Sequence, residues 1–246
     1  DSGIVRRIVA AIAPRPGDRL IEIGPGMGAL TEALLQEVER LQVIEIDRDL
    51  AARLRQRYSA QRLELHVADA LAFDFASCGN DLRIVGNLPY NISSPLLFPL
   101  PEHAAAIRDI HVMLQREVVD RMTAAPGTSA YGRLTVMLGY RFEIERLFRV
   151  PAGAFRPQPK VESAFARLRP LEPLPWHVAD EDGFRRIVAA AFGQRRKTLR
   201  NALAGIVDEA QLRSVGIDPR ARGETLSVAQ YVELANAVWS AADSSS

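Results

Sequence analysis

The chain has 246 residues, 48% of them hydrophobic and 25% charged, enough for one sizeable core of about 150–200 residues plus a small second domain, and no apolar run approaches the ~20 residues of a membrane span. The single cysteine, Cys78, excludes an internal disulfide, argues against a cysteine-based zinc site and fits a reducing compartment. The net charge of +1 hides an uneven distribution: residues 1–140 carry 15 basic and 17 acidic side chains, whereas residues 141–222 carry 16 and 10.

Asp1-Ser2-Gly3 runs directly into an amphipathic stretch rather than a leader. Residues 4–13 read as a helix ended by Pro14 and Pro16. Arg19 to Ile23 is a short apolar strand entering Gly24-Pro25-Gly26-Met27-Gly28, and residues 29–37 are helical. Strands follow at 41–46, 63–67, 82–85 and 110–114, with a helix at 49–57 between the second and third. This alternation predicts a parallel sheet with helices on both faces. From Pro151 on, six prolines crowd a 25-residue stretch with extended segments between them. Helical patterns return at 182–193, 195–206, 208–215 and 227–240. The expected division is an α/β domain over 1–175 and a helical domain over 176–246, with a disordered Ser244-Ser245-Ser246 tail.

In an open parallel sheet, ligands sit beyond the carboxyl ends of the strands. The candidate residues fall there. The glycines of 24–28 let a ligand approach the backbone. Glu45, 21 residues past Gly24, can accept from both ribose hydroxyls, with Asp47 and Asp49 as competitors. Asp69 can accept from an adenine amino group. Together these point to an adenosine-containing cofactor without distinguishing NAD from S-adenosylmethionine.

Gly86-Asn87-Leu88-Pro89-Tyr90 makes that distinction. An exocyclic adenine nitrogen is a poor nucleophile because its lone pair is delocalised into the ring. Two acceptors aimed at its N–H groups draw it toward tetrahedral geometry. Asn87 Oδ1 and a backbone carbonyl, that of Leu88 or Pro89, can supply them. Pro89 stiffens the loop, and Tyr90 can stack on a base taken out of its surroundings. The bland alternative is an ordinary proline turn. Phe155, in a proline-rich loop, either stacks a base or packs beneath the loop. Arg195, Arg196, Lys197 and Arg200 read as a basic helix start that either holds RNA phosphates or is a solvated face. Of the 31 basic residues only Lys160 and Lys197 are lysine, and arginine binds phosphate bidentately. The four histidines (His66, His103, His111 and His177) show no metal-ligand spacing.

Over essentially its whole length the sequence resembles the rRNA adenine N6,N6-dimethyltransferase family. The landmarks are Glu22-Ile-Gly-Pro-Gly-Met-Gly, Val43-Ile-Glu45-Ile-Asp47, Ala68-Asp69-Ala70, Gly86-Asn-Leu-Pro-Tyr-Asn-Ile-Ser93, Gln115-Arg-Glu-Val118, Tyr131-Gly-Arg-Leu134, Phe155-Arg-Pro-Gln-Pro-Lys-Val-Glu-Ser163 and Phe192-Gly-Gln-Arg-Arg-Lys-Thr-Leu-Arg200. The resemblance implies a Rossmann-like S-adenosylmethionine-dependent methyltransferase domain with a small C-terminal α-helical, rRNA-binding domain. It implies a cytoplasmic monomer, without a metal. Its reaction would be two methylations on each of two adjacent adenosines in the 3′-terminal hairpin loop of 16S rRNA within an immature 30S subunit, with a role in assembly of that subunit. It places Gly24 at the methionine part of the cofactor, Glu45 at its ribose and Asp69 at its adenine, with Glu22, Gly26, Ile46, Ala70 and Asn87 completing the cofactor site. Asn87, Leu88, Pro89, Tyr90 and Phe155 form the catalytic group, Tyr90 and Phe155 sandwiching the target adenine. The family also leads one to expect, ahead of the position where Asp1 stands, a basic segment with a Gln-Asn-Phe-Leu or Gln-His-Phe-Leu motif that closes over the cofactor. Three alternatives remain: a large-subunit rRNA adenine methyltransferase of the macrolide-resistance type, a ribosome-assembly binding factor whose methylation is incidental, and, more remotely, an NAD dehydrogenase.

Overall fold

The computed structural model describes residues 2–155, 158–194 and 196–239, with the backbone alone for Tyr90 and Asn91. Arg195 and the 244–246 tail lie outside the described residues. Contacts divide the chain into two compact units, Asp1–Val119 with Phe142–Pro170, and Asp120–Arg141 with Leu171–Ser246.

The first unit is built on a seven-stranded sheet of order β3-β2-β1-β4-β5-β7-β6. Its strands are β1 (Arg19–Ile23), β2 (Leu41–Glu45), β3 (Leu63–Val67), β4 (Leu82–Asn87), β5 (Ile107–Gln115), β6 (Phe142–Val150) and β7 (Ser163–Pro170). Its helices are α1 (Ser2–Ile12), α2 (Ala29–Glu37), α3 (Arg48–Arg57) and α4 (Tyr90–Leu97), and α5 (Arg116–Met122) leads out of it. The inner strands are apolar runs because helices cover both faces: Leu20, Ile21, Ile23, Val43, Ile44, Ile84, Val85, Ile110 and Val112 are all at most 1% exposed. Asp47 caps α3, accepting from the backbone N–H groups of Asp49 and Leu50 at 2.8 and 3.1 Å, which fixes how the chain leaves β2.

The all-parallel expectation is corrected at one edge. β1 to β5 are parallel, but β5 pairs antiparallel with β7, and β7 with β6. β6 escapes a search for apolar runs because it is an edge strand: Glu143, Glu145, Arg146 and Arg149 are exposed, as an edge that must not pair further requires. Glu143 and Glu145 are matched by Arg169 and Arg167 on β7 at 2.9 and 2.6 Å.

At the amino ends of the central strands lies a buried ionic network. Arg83 of β4, 6% exposed, donates Nε and Nη2 to Asp109 at 3.0 and 2.8 Å, Nη1 to Asp18 at 2.6 Å and Nη2 to the Ile12 carbonyl at 2.6 Å. Arg108 closes the cluster onto Asp18 at 2.7 Å and onto Asp81. One guanidinium thus ties the end of α1 to β4, β5 and the turn before β1.

The second unit is helical. It holds α6 (Arg133–Gly139), α7 (Glu181–Gly193), α8 (Leu199–Ala202), α9 (Glu209–Ser214) and α10 (Val228–Trp239). Residues 120–141 belong to it although they precede β6, a difference from the expected division at 175. The reason is burial: Leu134, Val136, Met137 and Leu138 of α6 are core residues, and the buried Tyr131 hydroxyl donates to the Leu226 carbonyl at 2.8 Å. The helix expected over 195–206 is also corrected. Thr198 is extended, with ψ 157°, and caps a single short helix, Leu199–Ala202. Arg196 and Lys197 therefore sit in a turn. Among the described residues no helix is long and apolar enough to cross a membrane.

Replacing Arg83 with Met leaves the Asp109 carboxylate buried without its guanidinium partner and Asp18 held by Arg108 alone. The expected loss is about 3–5 kcal/mol of unfolding free energy, measured by urea denaturation. A loss below about 1 kcal/mol would contradict the assigned role.

Candidate active site

The sheet order reverses between β1 and β4, so the chain leaves these neighbours in opposite directions and opens a crevice at their carboxyl ends. The register fixes what lines it. Ile23 pairs with Ile44 and Gly86, and Glu45 with Val67. Asp69, Glu45, Gly24 and Asn87 therefore stand at or just past the carboxyl ends of four neighbouring strands, spanning about 14 Å at the usual strand spacing.

Gly24 and Gly26 adopt φ of 65° and 56°, the left-handed region that a side chain makes costly. A Cβ built on either meets nothing within 4 Å, so the loop presents bare backbone to open space. Met27, Ile46, Val67 and Leu71 are 70%, 65%, 40% and 38% exposed, an apolar fringe along the same ends of the sheet. Glu45 is 6% exposed, and its Oε1 accepts from the Asp47 N–H at 2.9 Å. Asp47 is exposed and caps α3 through Oδ1 alone, and Asp49 is also exposed. Asp69 is exposed, its Oδ1 accepting from the Leu71 N–H at 2.9 Å, and Ala70 beside it is buried. An open backbone cradle, an apolar rim and two carboxylates fit an adenosine cofactor with an amino-acid tail.

Glu22 lies beneath the cradle, 2% exposed. Burial pushes its carboxyl from the ordinary 4.5 up to about 7; the Thr31 hydroxyl acts against this and the charge of Glu45 adds to it. Sequence reasoning placed Glu22 at the cofactor but missed Thr31, whose hydroxyl donates to Glu22 Oε2 at 2.6 Å. Nothing in the sequence pairs two residues nine positions apart on a strand and a helix.

The Gly86–Tyr90 loop is held at both ends. Asn87 ends β4 and is exposed, while Leu88 is 2% exposed and its N–H donates to the Met113 carbonyl at 3.1 Å. Pro89 caps α4. Its carbonyl accepts from the Ile92 and Ser93 N–H groups, both at 3.1 Å, and from the Ser93 hydroxyl at 2.8 Å. Of the two backbone acceptors expected here, the Pro89 carbonyl is thus engaged by the helix. Ser93 is another residue whose part the sequence did not disclose. Gly86 is demanded by close approach, since a Cβ there would lie 2.9 Å from the Ile23 carbonyl and 3.1 Å from Leu88 Cδ2.

The side chain of Tyr90 lies outside the described residues, so its stacking role rests on the resemblance. Phe155 is half-buried, packed against the cluster that contains Ile8, Val150 and Phe165, so part of its ring serves the core. Arg196 and Lys197 are exposed, with no acidic partner among the described residues. Arg200 is exposed and paired with Glu209 at 3.3 Å.

Sheet order and crevice define the Rossmann-like methyltransferase fold. A model of the family "Ribosomal RNA adenine dimethylase" matches residues 1–239. The chain is 58% identical over 236 residues to the ribosomal RNA small subunit methyltransferase A of Aromatoleum aromaticum, covering 96% of this chain and 89% of that one. Among solved structures, a dimethyladenosine transferase from Plasmodium falciparum matches with a TM-score of 0.81 at 25% identity, over 95% of this chain and 94% of that one. The 23S rRNA methyltransferase ErmE matches at 0.71 and 28%, over 97% and 98%. The chain belongs to the ribosomal RNA adenine dimethylase family, and the dehydrogenase alternative falls away.

Two outcomes follow from this geometry. Gly86→Ala must push β1 and the Asn87–Tyr90 loop apart, lowering stability by about 1–3 kcal/mol in thermal or urea unfolding; an unchanged midpoint would refute the close contact. For Glu22, the unfolded carboxyl ionises near 4.5 while the folded one holds its proton to about 7. Folded-state stability therefore falls as pH rises through that interval, by roughly 3 kcal/mol. Glu22→Gln removes this slope, so the variant gains on the parent between pH 5 and 7; parallel pH curves would contradict it.

Proposed function

We propose that the protein uses S-adenosylmethionine to dimethylate N6 of two adjacent adenosines in the 3′-terminal hairpin loop of 16S rRNA, within an immature 30S subunit. The observation that carries this reading is the Asn87–Pro89 loop, held on β4 beside a bare glycine cradle. S-adenosylmethionine supplies an electrophilic methyl group when bound. Gly24 and Gly26 would admit its amino-acid tail with Glu22 beneath, Glu45 would accept from its ribose hydroxyls, and Asp69, with Ile46 and Ala70 alongside, would hold its adenine.

Asn87 Oδ1 and the Leu88 carbonyl are the two acceptors for the target N–H groups. The Pro89 carbonyl is engaged by three donors of α4, which favours Leu88 over Pro89 in this role. Fixed acceptors localise the nitrogen lone pair without reorganisation during the reaction, and positioning supplies much of the remaining rate. The methylated nitrogen sheds its proton to water. Tyr90 and Phe155 would sandwich the adenine, and Arg196, Lys197 and Arg200, with Arg195, would contact RNA phosphates. A monomer acting in the cytoplasm, where 30S subunits are assembled, goes with this reading.

The large-subunit alternative is not favoured. Relatives named for the small subunit share 58%, 53% and 56% identity with this chain, against 28% for ErmE.

Asn87→Ala should lower kcat for adenine N6 methylation of 16S rRNA by about 10²–10³-fold, while binding of 30S subunits in a filter or gradient assay stays unchanged. Methylation within threefold of the parent would sink the mechanism. Full rescue of assembly defects by the same variant would favour the binding-factor role over catalysis.

A further inference from the structure

The carboxyl ends of β1 and β2 carry two buried carboxylates on neighbouring strands. Glu45 has a backbone donor in the Asp47 N–H. Glu22 has one described donor, the hydroxyl of Thr31, at 2.6 Å. Thr31 is 0% exposed and sits directly under the loop: a Cβ on Gly28 would lie 3.8 Å from its Oγ1. The hydroxyl therefore connects the floor of the cofactor cradle to α2. Threonine and glutamate cannot exchange roles here, because a threonine hydroxyl donates to a carboxylate and so supports its ionised form.

We propose that Thr31 is a positioning residue that holds Glu22 ready to meet a cationic ligand, so that this pair lets the site favour the cationic cofactor over its uncharged-sulfur product. The inference rests on the S-adenosylmethionine reading above. Ionised Glu22 is costly in the empty site, where burial and the neighbouring Glu45 both oppose it. A ligand carrying an extra positive charge offsets that cost, and Glu22 gives up its proton to solvent as the ligand enters. The demethylated product would lack that extra charge, so Glu22 would take a proton back from solvent once the product replaced the cofactor.

Few other groups act on Glu22. Glu45 faces it from β2 and Thr31 from α2, and its β4 neighbour in register is Val85. Beyond α3 the Tyr58 hydroxyl, buried and without a hydrogen-bond partner among the described residues, feels the charge of Glu22 together with those of Arg57 and Glu32. Those two pair with each other at 2.7 Å and largely cancel.

The test is isothermal titration calorimetry of S-adenosylmethionine and S-adenosylhomocysteine into the parent, Thr31→Val and Thr31→Ser proteins. Runs from pH 6 to 8 in two buffers of different ionisation enthalpy give the proton count. The parent should release protons with the cationic ligand and far fewer with the product. Thr31→Val should bind the cationic ligand about tenfold more weakly at pH 7, with the product affected less than threefold and the affinity rise displaced to higher pH. Thr31→Ser should restore the parent behaviour. Equal weakening of both ligands, an unmoved pH profile, or a Ser variant that behaves like Val would overturn the inference while leaving the methyltransferase reading intact. Should Thr31→Val not fold, Glu22→Gln decides: proton release must vanish in it, and its persistence overturns the inference. A parent protein that binds neither ligand would refute the cofactor reading itself, and the inference with it.

Discussion

The rest of the site depends on how closely β1 and β4 approach at their carboxyl ends. At that level Gly86 faces the Ile23 carbonyl with no room for a Cβ, and the two strands then diverge, one into the glycine cradle and the other into Asn87. Widening this contact would separate the glycine cradle, proposed to hold the cofactor, from Asn87, proposed to meet the target base. Catalysis by positioning has little tolerance for that, because misplacement of about 1 Å can cost a hundredfold in rate. The contact also explains why Leu88 is buried while its neighbours Asn87 and Pro89 are exposed. Its side chain closes over Gly86 and turns Asn87 outward.

The two ends of the same strands treat charge in opposite ways. At the amino ends Arg83 is matched by Asp18 and Asp109 and by the Ile12 carbonyl, so a buried cation is fully compensated and joins α1 to the sheet. At the carboxyl ends Glu22 and Glu45 are buried without a cation beside them among the described residues. A protein gains no stability from that arrangement. Buried carboxylates of this kind cluster at functional sites, and the cofactor proposed above would bring a positive charge to them.

Much of this was legible in the sequence, for definite reasons. The inner strands read as apolar runs because both faces are covered, and the strand ends could be located because glycine, acid and Asn-Leu-Pro-Tyr follow them directly. β6 was not legible, because its exposed charges break the apolar pattern. α4 was hidden by Pro89 before it and Pro95 within it. The supposed basic helix at 195–206 shortened to four residues because Thr198 takes an extended conformation. Residue types alone left the choice between the Leu88 and Pro89 carbonyls open; hydrogen bonds to the first turn of α4 engage one of them. Thr31 could not have been found from spacing, since its meaning lies wholly in the Glu22 carboxylate across the cradle.

The central claim, methyl transfer to adenine N6 in small-subunit rRNA, is tested most directly by product mapping. Unmethylated 30S subunits are incubated with the protein and isotopically labelled S-adenosylmethionine, and the nuclease fragments of 16S rRNA are read by mass spectrometry. The account predicts two labelled methyl groups on each of two adjacent adenines in the 3′-terminal hairpin loop. No label on adenine N6, or label confined to 23S rRNA when both rRNAs are offered, would contradict it.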